Sequence, residues 1–412
     1  MKMKRSFKWI RGFQIVILSF ALLSLSGCWS ASEINNLAIV NVMAIDQSDN
    51  GQVEITAVII KPNTTFSGPG AGSIRSPEKQ RKSLIETTKG KSLYKAISKL
   101  SSAVPEFLYF GHLDVIVFGE RAARENMTSY LDFFKRQNDF RPNIKLLVTK
   151  GPARKLVQTK PKMNTTIGLE IKNLAKSNRF DTTNMVKDVS QFMEATLSNT
   201  SDPYTGVIQP AKTLGIHMAQ KKNTKGQKKP GRKGEKKVKG ASGKPQRDRP
   251  KALSLRGTAV FKGGQLRGYL DEKETRGMLA IKGELDNGVV VLDCGDNDKG
   301  TVSLNIKNSD SKLSPKLSGG DPMMDVKIHV KAEIGDITCS GLNVNSVTID
   351  RFNQKLANLI KRNATDVLNK VKNQWQADIF GFGEAIYKKA PEKWDQLAPQ
   401  WRNGQFKKMN VH

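Results

Sequence analysis

The sequence predicts an α+β protein, with a mixed α/β region first and an antiparallel sheet backed by a long helix after it. Three observations carry this. Between Leu37 and Leu197, segments with the two-residue alternation of strands are interleaved with segments of helical spacing. After a tract rich in Lys, Gly and Pro, strand-like segments follow one another with a single short helix among them. The last long periodic stretch, 347–375, has the spacing of a helix.

In chain order, residues 37–45 (LAIVNVMAI) and 52–60 (QVEITAVII) are rich in apolar and β-branched residues, and the turn formers DQSDNG at 46–51 separate them. This pattern predicts a β-hairpin. Residues 61–82, rich in Pro, Gly, Ser and charge, read as a loop. Gly68, Gly70 and Gly72 invite a phosphate-loop reading, but no Lys-Ser/Thr follows at the required spacing and no helical pattern opens behind them. Leu93, Ala96, Ile97 and Leu100 lie on one helical face within 92–101. A strand is expected at 113–118 (LDVIVF), a helix at 122–135 with Tyr130, Phe133 and Phe134 inward, a strand at 143–149, and helices at 167–175 and 185–197.

A second domain is expected to start near Pro203, dividing the chain into 28–202 and 203–412. Residues 207–218 and 251–261 are strand-like and are expected to pair across a basic tract, 219–251. From Lys221 to Lys251 there are fourteen Lys and Arg against Glu235 and Asp248, no aromatic residue, and nothing apolar larger than Val238. Such a tract buries too little to offset its ordering entropy, so a disordered loop is expected. Residues 261–265 read as a hairpin turn, and Asp271 with Glu274 as a capping box. Strands are expected at 288–294, 301–307 and 325–334. The last alternates, with Val326, Ile328, Val330, Ala332 and Ile334 inward and Lys327, His329, Lys331 and Glu333 outward. The final helix carries Phe352, Leu356, Leu359, Ala364, Val367, Val371 and Trp375 on one stripe.

The composition bounds the function. The 412 residues include 68 Lys and Arg against 38 Asp and Glu, a formal charge of +30. That imbalance points to anionic partners. Three cysteines exclude a disulfide-dense scaffold and any multi-Cys zinc or iron–sulfur site. The four histidines, His112, His217, His329 and His412, are scattered.

The first 28 residues fix the compartment. Lys2, Lys4, Arg5, Lys8 and Arg11 form a basic head, and Phe13 to Leu25 is a mainly apolar run of 13 residues with Gln14, Ser19 and Ser24 as interruptions. A membrane span needs about 20 residues, whereas a run of this length is a signal-peptide core. It ends in Leu25-Ser26-Gly27-Cys28, the pattern of a bacterial lipobox, so 1–27 is read as a lipoprotein signal peptide and Cys28 as the site of S-diacylglycerol and N-acyl attachment. An uncleaved anchor helix is the other reading. Both place the rest of the chain outside the cytoplasm, where anionic lipid and wall polymers are the expected partners of 219–251 and nucleic acid is not. A solvated insertion with no partner remains the plain alternative for that tract.

Searching for chemistry finds no His-Glu-x-x-His, Gly-x-Ser-x-Gly, Walker loop or cysteine pair at metal spacing. His112 precedes a buried strand and His329 lies on a wet face near Asp325 and Asp336; both read as ordinary histidines. Asp271–Glu272 and Glu284–Asp286 have the look of acid/base pairs, but capping and solvated faces explain them. Cys294 and Cys339 fall at predicted strand ends on the exported side, where a disulfide can form; the sequence leaves their pairing open. The expectation is a non-enzyme with no catalytic residue, no metal and no cofactor.

Four blocks resemble the Ger(x)C spore germination lipoproteins, the C subunits of nutrient germinant receptors. They are Gly27-Cys28-Trp29 continuing through Glu33-Ile34-Asn35-Asn36-Leu37-Ala38-Ile39-Val40 to Ala44-Ile45-Asp46; Gly111-His112-Leu113-Asp114-Val115-Ile116-Val117; Gly257-Thr258-Ala259-Val260-Phe261-Lys262-Gly263 with Gly268-Tyr269-Leu270 and Glu274-Thr275-Arg276-Gly277; and Ile379-Phe380-Gly381-Phe382-Gly383-Glu384-Ala385-Ile386-Tyr387 with Pro391 and Trp394. The resemblance implies a palmitate-bearing, lipid-anchored, non-catalytic subunit at the outer face of the inner spore membrane. It also implies work with a multi-span A subunit and a permease-like B subunit. Cys28 is the one chemical role it carries over. Ser30 and Ala31 depart from the family's acidic and basic pair, the basic insertion is long, and the chain ends at Met409-Asn410-Val411-His412, where the family continues through one more strand. The other readings are a lipoprotein that itself captures a small nutrient for a permease-like partner, and a wall or lipid hydrolase, which the missing catalytic constellation disfavours.

Overall fold

The computed structural model describes residues 36–60, 83–162, 164, 166–176, 186–211, 252–295, 298–317, 321–340 and 342–412. The protein is α+β, as expected. Its strands are β1 (Leu37–Gln47), β2 (Val53–Ile60), β3 (Leu84–Gly90), β4 (Phe107–Tyr109), β5 (Val115–Gly119), β6 (Lys145–Thr149), β7 (Tyr204–Pro210), β8 (Leu253–Lys262), β9 (Gln265–Leu270), β10 (Val289–Gly295), β11 (Asp298–Lys316), β12 (Met323–Ile337) and β13 (Asn410–Val411). The first nine form one sheet, ordered β3-β2-β1-β5-β6-β7-β8-β9 with β4 beside β1. β1, β5, β6 and β7 run parallel at its centre, and antiparallel strands flank them.

Both faces of the parallel centre are covered, which accounts for the unbroken apolar runs of β5 and β6. On one face lie α1 (Leu93–Ala103), α2 (Glu120–Glu125), α3 (Met127–Arg136) and, later in the chain, Val189, Phe192 and Met193. On the other lie α4 (Ala153–Val157) and α5 (Ile167–Lys176). α6 (Val189–Leu197) opens with Asp188 and Gln191 in a capping box. The helix expected over 122–135 is two, because Asn126 leaves helical geometry and its side chain accepts from Thr128 N, starting a new helix. β3, β4 and α4 had no periodic signal of their own.

The expected hairpin of β7 and β8 is present, with Tyr204 opposite Val260 and Pro210 opposite Leu253. The tract 219–251 between them lies outside the described residues, as do Gly68, Gly70 and Gly72 and the signal segment 1–27. The boundary expected at 203 falls inside the first sheet, since β7 pairs with β6 and carries β8 and β9 with it. The change in composition after Pro203 does not mark where hydrogen bonding stops.

The second sheet is β10-β11-β12-β13. β11 and β12 form a long antiparallel ribbon, from Val302 opposite Ile337 to Lys316 opposite Met323. β11 runs well past the expected 301–307, because pairing with β12 holds Asn308–Lys316 extended although that stretch is polar. On β12, Val326, Ile328, Val330 and Ala332 pack toward the core, while Ile334 is 42% exposed and does not belong to it. Against this sheet lie α7 (Glu272–Lys282) and α8 (Ser346–Lys370), the latter ending in a wide turn over Val371–Trp375. α8 buries Phe352, Leu356, Ile360, Ala364, Val367 and Leu368. α9 (Phe382–Lys389) and α10 (Pro391–Gln400) follow, and β13 returns to pair parallel with Met323 and Met324.

Cys294 at the end of β10 and Cys339 beyond β12 are joined as a disulfide, with Cα atoms 5.7 Å apart. The bond ties the two outer ends of the three-stranded ribbon. Replacing both cysteines by Ala should lower the stability of this sheet by about 3–4 kcal/mol, the closure entropy of a loop of 45 residues. The check is a denaturant melt of the C294A/C339A protein, together with a thiol assay that should find both groups blocked in the wild type.

Candidate functional site

The described residues place the sequence-predicted candidates apart from one another. His112 is exposed and stacks edge-on to Tyr109, with ring centroids 5.6 Å apart. His329 faces Asp310 across the β11–β12 ladder, Nδ1 to Oδ1 3.7 Å, and both are exposed. Asp271 caps α7 through Glu274 N, and Glu272 pairs with Arg256 at 3.0 Å. Glu284 lies 3.6 Å from Lys282. Among the described residues, Cys294, Asp298 and Cys339 form the one cluster with metal-ligand types close enough to share an ion. Its sulfurs are already bonded to each other, and Asp298 accepts from Gly300 N and Ser340 N. The cluster is a structural staple.

The dense buried chemistry lies elsewhere, where the two sheets meet. Asp378, 1% exposed, sits in the non-helical stretch between α8 and α9. Its Oδ1 accepts from the backbone N–H groups of Phe380, Gly381 and Phe382 at 3.1, 3.0 and 3.2 Å. Its Oδ2 accepts from Gly383 N at 2.7 Å and Trp401 Nε1 at 3.1 Å. The backbone thus wraps a carboxylate at the N-terminus of α9, where orphan N–H groups need an acceptor.

Asp202, two residues before β7, reaches the same knot. Asp202 N donates to Asp378 O at 2.8 Å, and Asp378 N donates to Asp202 Oδ2 at 2.9 Å. Arg402 Nε lies 3.2 Å from Asp202 Oδ1, placed as a charge pair and not as an aligned hydrogen bond. Arg402 Nη2 also donates to Ser201 O at 2.7 Å, and Lys262 Nζ to Arg402 O at 2.6 Å. Strands of the first sheet and the end of the chain are therefore locked by groups far apart in sequence. Phe380, Phe382, Trp394, Trp401 and Phe406 pack around the knot. Gly383 has no room for a side chain: a Cβ there would meet Thr200 O at 2.5 Å and Trp394 at 2.7 Å.

Burial pushes Asp378 up to about 6, against the pull of its N–H donors, and the neighbouring Asp202 adds to the rise. Burial raises Asp202 as well, opposed by Arg402.

The other sequence blocks meet around the same frame. Gly277 on α7 lets α8 approach closely; a Cβ would lie 2.2 Å from Asn363 O. Lys370 Nζ bridges Glu274 at 2.8 Å and Tyr269 O at 3.1 Å. Asp46, read from sequence as a turn residue, is instead a buried strand residue. Its carboxylate accepts from Ala153 N and Arg154 N at 2.8 and 2.7 Å and so fixes α4, and burial raises its pKa. Asp202 and Arg402 carried no motif signal, because their pairing spans 200 residues and exists only in the fold.

Two cavities lie nearby. One of about 800 Å³, at the carboxyl ends of the parallel strands, is lined by Asp46, Asp49, Glu54, Glu120 and four basic residues. Each charge already has a partner: Asp49 with Arg121, Glu120 with Arg124, and Glu54 with Lys89 and Arg154. The other, of about 620 Å³, opens beside the Asp202 knot and is lined by Lys187, Tyr204, Lys282, Glu384 and Tyr387 among others.

A model described as spore germination protein N-terminal domain matches residues 30–210, and one described as spore germination B3/GerAC like, C-terminal, matches 256–412. Spore germination protein KC of Bacillus subtilis (strain 168) is 26% identical over 398 residues, covering 94% of this chain and 89% of its own. Spore germination protein B3 of the same organism is 24% identical, covering 93% and 91%. A solved structure, the crystal structure of the GerBC protein, aligns with a TM-score of 0.50 at 19% identity over 90% of this chain and 94% of its own, a likeness of fold.

Replacing Asp378 with Asn keeps the size but turns an N–H₂ toward N–H donors. Leaving such groups unsatisfied costs about 1–3 kcal/mol, which in a chain of this size is a fall in Tm of about 1–4 °C. The pH response has a definite sign. A folded-state pKa raised to about 6 means the folded chain holds a proton that the unfolded chain releases from its ordinary 3.8 upward. The contribution of Asp378 to stability is therefore greatest below pH 4 and is lost as pH rises through 6. The gap in unfolding free energy between wild type and D378N should narrow by up to ~3 kcal/mol from pH 4 to pH 7. Denaturant melts across that range check both statements; a gap independent of pH contradicts the shifted titration.

Proposed function

Because the chain belongs to the Ger(x)C family of spore germination proteins, we propose that it is a lipid-anchored, non-catalytic subunit of a nutrient germinant receptor, working beside membrane A and B subunits. A role in spore germination follows from the family itself. The observation that carries the finer reading is where the family blocks fall in this fold. Asp46, Glu274, Gly277 and the Phe380 to Gly383 run, whose N–H groups hold Asp378, fasten elements together and leave no reactive constellation between them. Residues shared by a family and spent wholly on architecture suit a protein whose work is to present surfaces to partners.

The charged cavity favours partner binding over nutrient capture. Its acids and bases neutralise one another, so no free charge waits for an amino acid's ammonium or carboxylate. Attachment is assigned to lipid on Cys28, on the extracytoplasmic face of the inner spore membrane. Among the described residues no helix is long and apolar enough to cross a membrane. Two or three acyl chains hold a protein stably where one is marginal. The basic tract 219–251 would add a salt-sensitive contact with anionic lipid or wall polymer, at up to about 1 kcal/mol per cation near such a surface.

Replacing Cys28 with Ala tests the anchor. The variant should accumulate as unprocessed precursor, take up no labelled acyl chain and fail to support the germination response. Processed, acylated C28A protein would show that the lipid is carried elsewhere.

A further inference from the structure

The pairing of β4 with β1 leaves an apolar surface that the core does not use. Leu37 lies opposite Phe107 and Ile39 opposite Tyr109 in a parallel ladder. Residues two apart in a strand share a face, so these four side chains stand together. Ala38 and Leu108, between them, point the other way into the core. Further along β1 the four-residue face continues through Val42 and Ala44, where α4 and α5 cover it. At the start of the strand that cover has run out. Phe107 is 81% exposed and Tyr109 38%, with Leu37 and Ile39 half-buried beside them.

Two further facts bear on what covers this patch. The α5 side chains Lys172 and Lys176 both reach Asp114, at 2.8 and 3.7 Å, just before β5 at the same end of the sheet. Two lysines therefore stand beside the patch, balanced in formal charge by Asp114 and by Glu106 next to Phe107. Leu37 is also nine residues from Cys28. An extended chain of that length spans at most about 30 Å, so an acyl chain on Cys28 would hold the patch within that distance of a bilayer.

We propose that the Leu37–Ile39–Phe107–Tyr109 face is a membrane contact, seated in the headgroup region of an anionic bilayer beside the anchor. It rests on the anchored-lipoprotein reading above. Aromatic rings favour the membrane–water interface, where a ring is buried and a hydroxyl stays wet, and lysines reach from an apolar surface to lipid phosphate. β1 then runs away from the bilayer, and the charged cavity at its far end, beside Asp46 and Asp49, faces outward.

The test uses the chain from Cys28 onward, acylated or carrying Cys28→Ser. With Cys294 and Cys339 bonded to each other, the thiol introduced by Phe107→Cys is the one available to an environment-sensitive NBD dye. On phosphatidylglycerol-containing vesicles the dye should shift to the blue and brighten several-fold in both forms, at a salt concentration that screens 219–251. Replacing Phe107 and Tyr109 by Ser in the Cys28→Ser form should weaken vesicle sedimentation roughly tenfold without changing the melt. Water-like dye emission from the acylated protein on vesicles overturns the contact and leaves the anchor standing. A dye shift in the Cys28→Ser form supports the contact even if wild-type protein takes up no acyl label, a result that would fail the anchor alone. A shift that needs partner membrane proteins and not vesicles overturns it in favour of protein docking.

Discussion

A single buried carboxylate sets the terms for the rest of the structure. Asp378 is fully removed from water and accepts N–H donors from four consecutive backbone groups and one indole. An ionised group in that position is tolerated only because five N–H donors point at it, and burial still holds its pKa up at about 6. The chain must therefore deliver Trp401 from one side and Asp202 from another. The ion pair of Asp202 with Arg402 in turn draws the end of the chain against the first sheet. The aromatic packing of Phe382, Trp394, Trp401 and Phe406 excludes the water that would otherwise satisfy these groups.

The architecture follows from that joint. Tyr204, Val260 and Leu270 belong to strands of the first sheet yet pack into the core of the second. The two sheets share residues and do not merely touch. This explains why the strands after 203 cannot be assigned to one half from sequence. Their hydrophobic pattern is correct for either core, and the hydrogen bonds that choose are made to β6, more than fifty residues earlier.

Much of the fold was legible where one rule acted alone. Alternation placed Val326, Ile328, Val330 and Ala332 inward on β12, and the capping box at Asp271 and Glu274 marked the start of α7. What was missed depended on distant partners. β3, whose residues are all partly exposed except Gly90, is a strand because β2 offers an edge. Asp46 looked like a turn residue because Asp is common in turns; its burial needs the N-terminus of α4, a hundred residues away. The same holds for the site: Cys28 is a local motif, whereas the Asp202, Asp378 and Arg402 knot has no sequence spacing to recognise.

Amide hydrogen exchange tests most directly whether the buried carboxylate is the fastening on which the fold depends. The amides of Phe380, Gly381, Phe382 and Gly383 span the end of the connection and the first residues of α9, where no helical carbonyl accepts them, and would exchange quickly without the carboxylate. The account predicts that they exchange only through global unfolding, as slowly as the amides of β5 and β6. Fast exchange at these four positions, with β5 and β6 still protected, would contradict it.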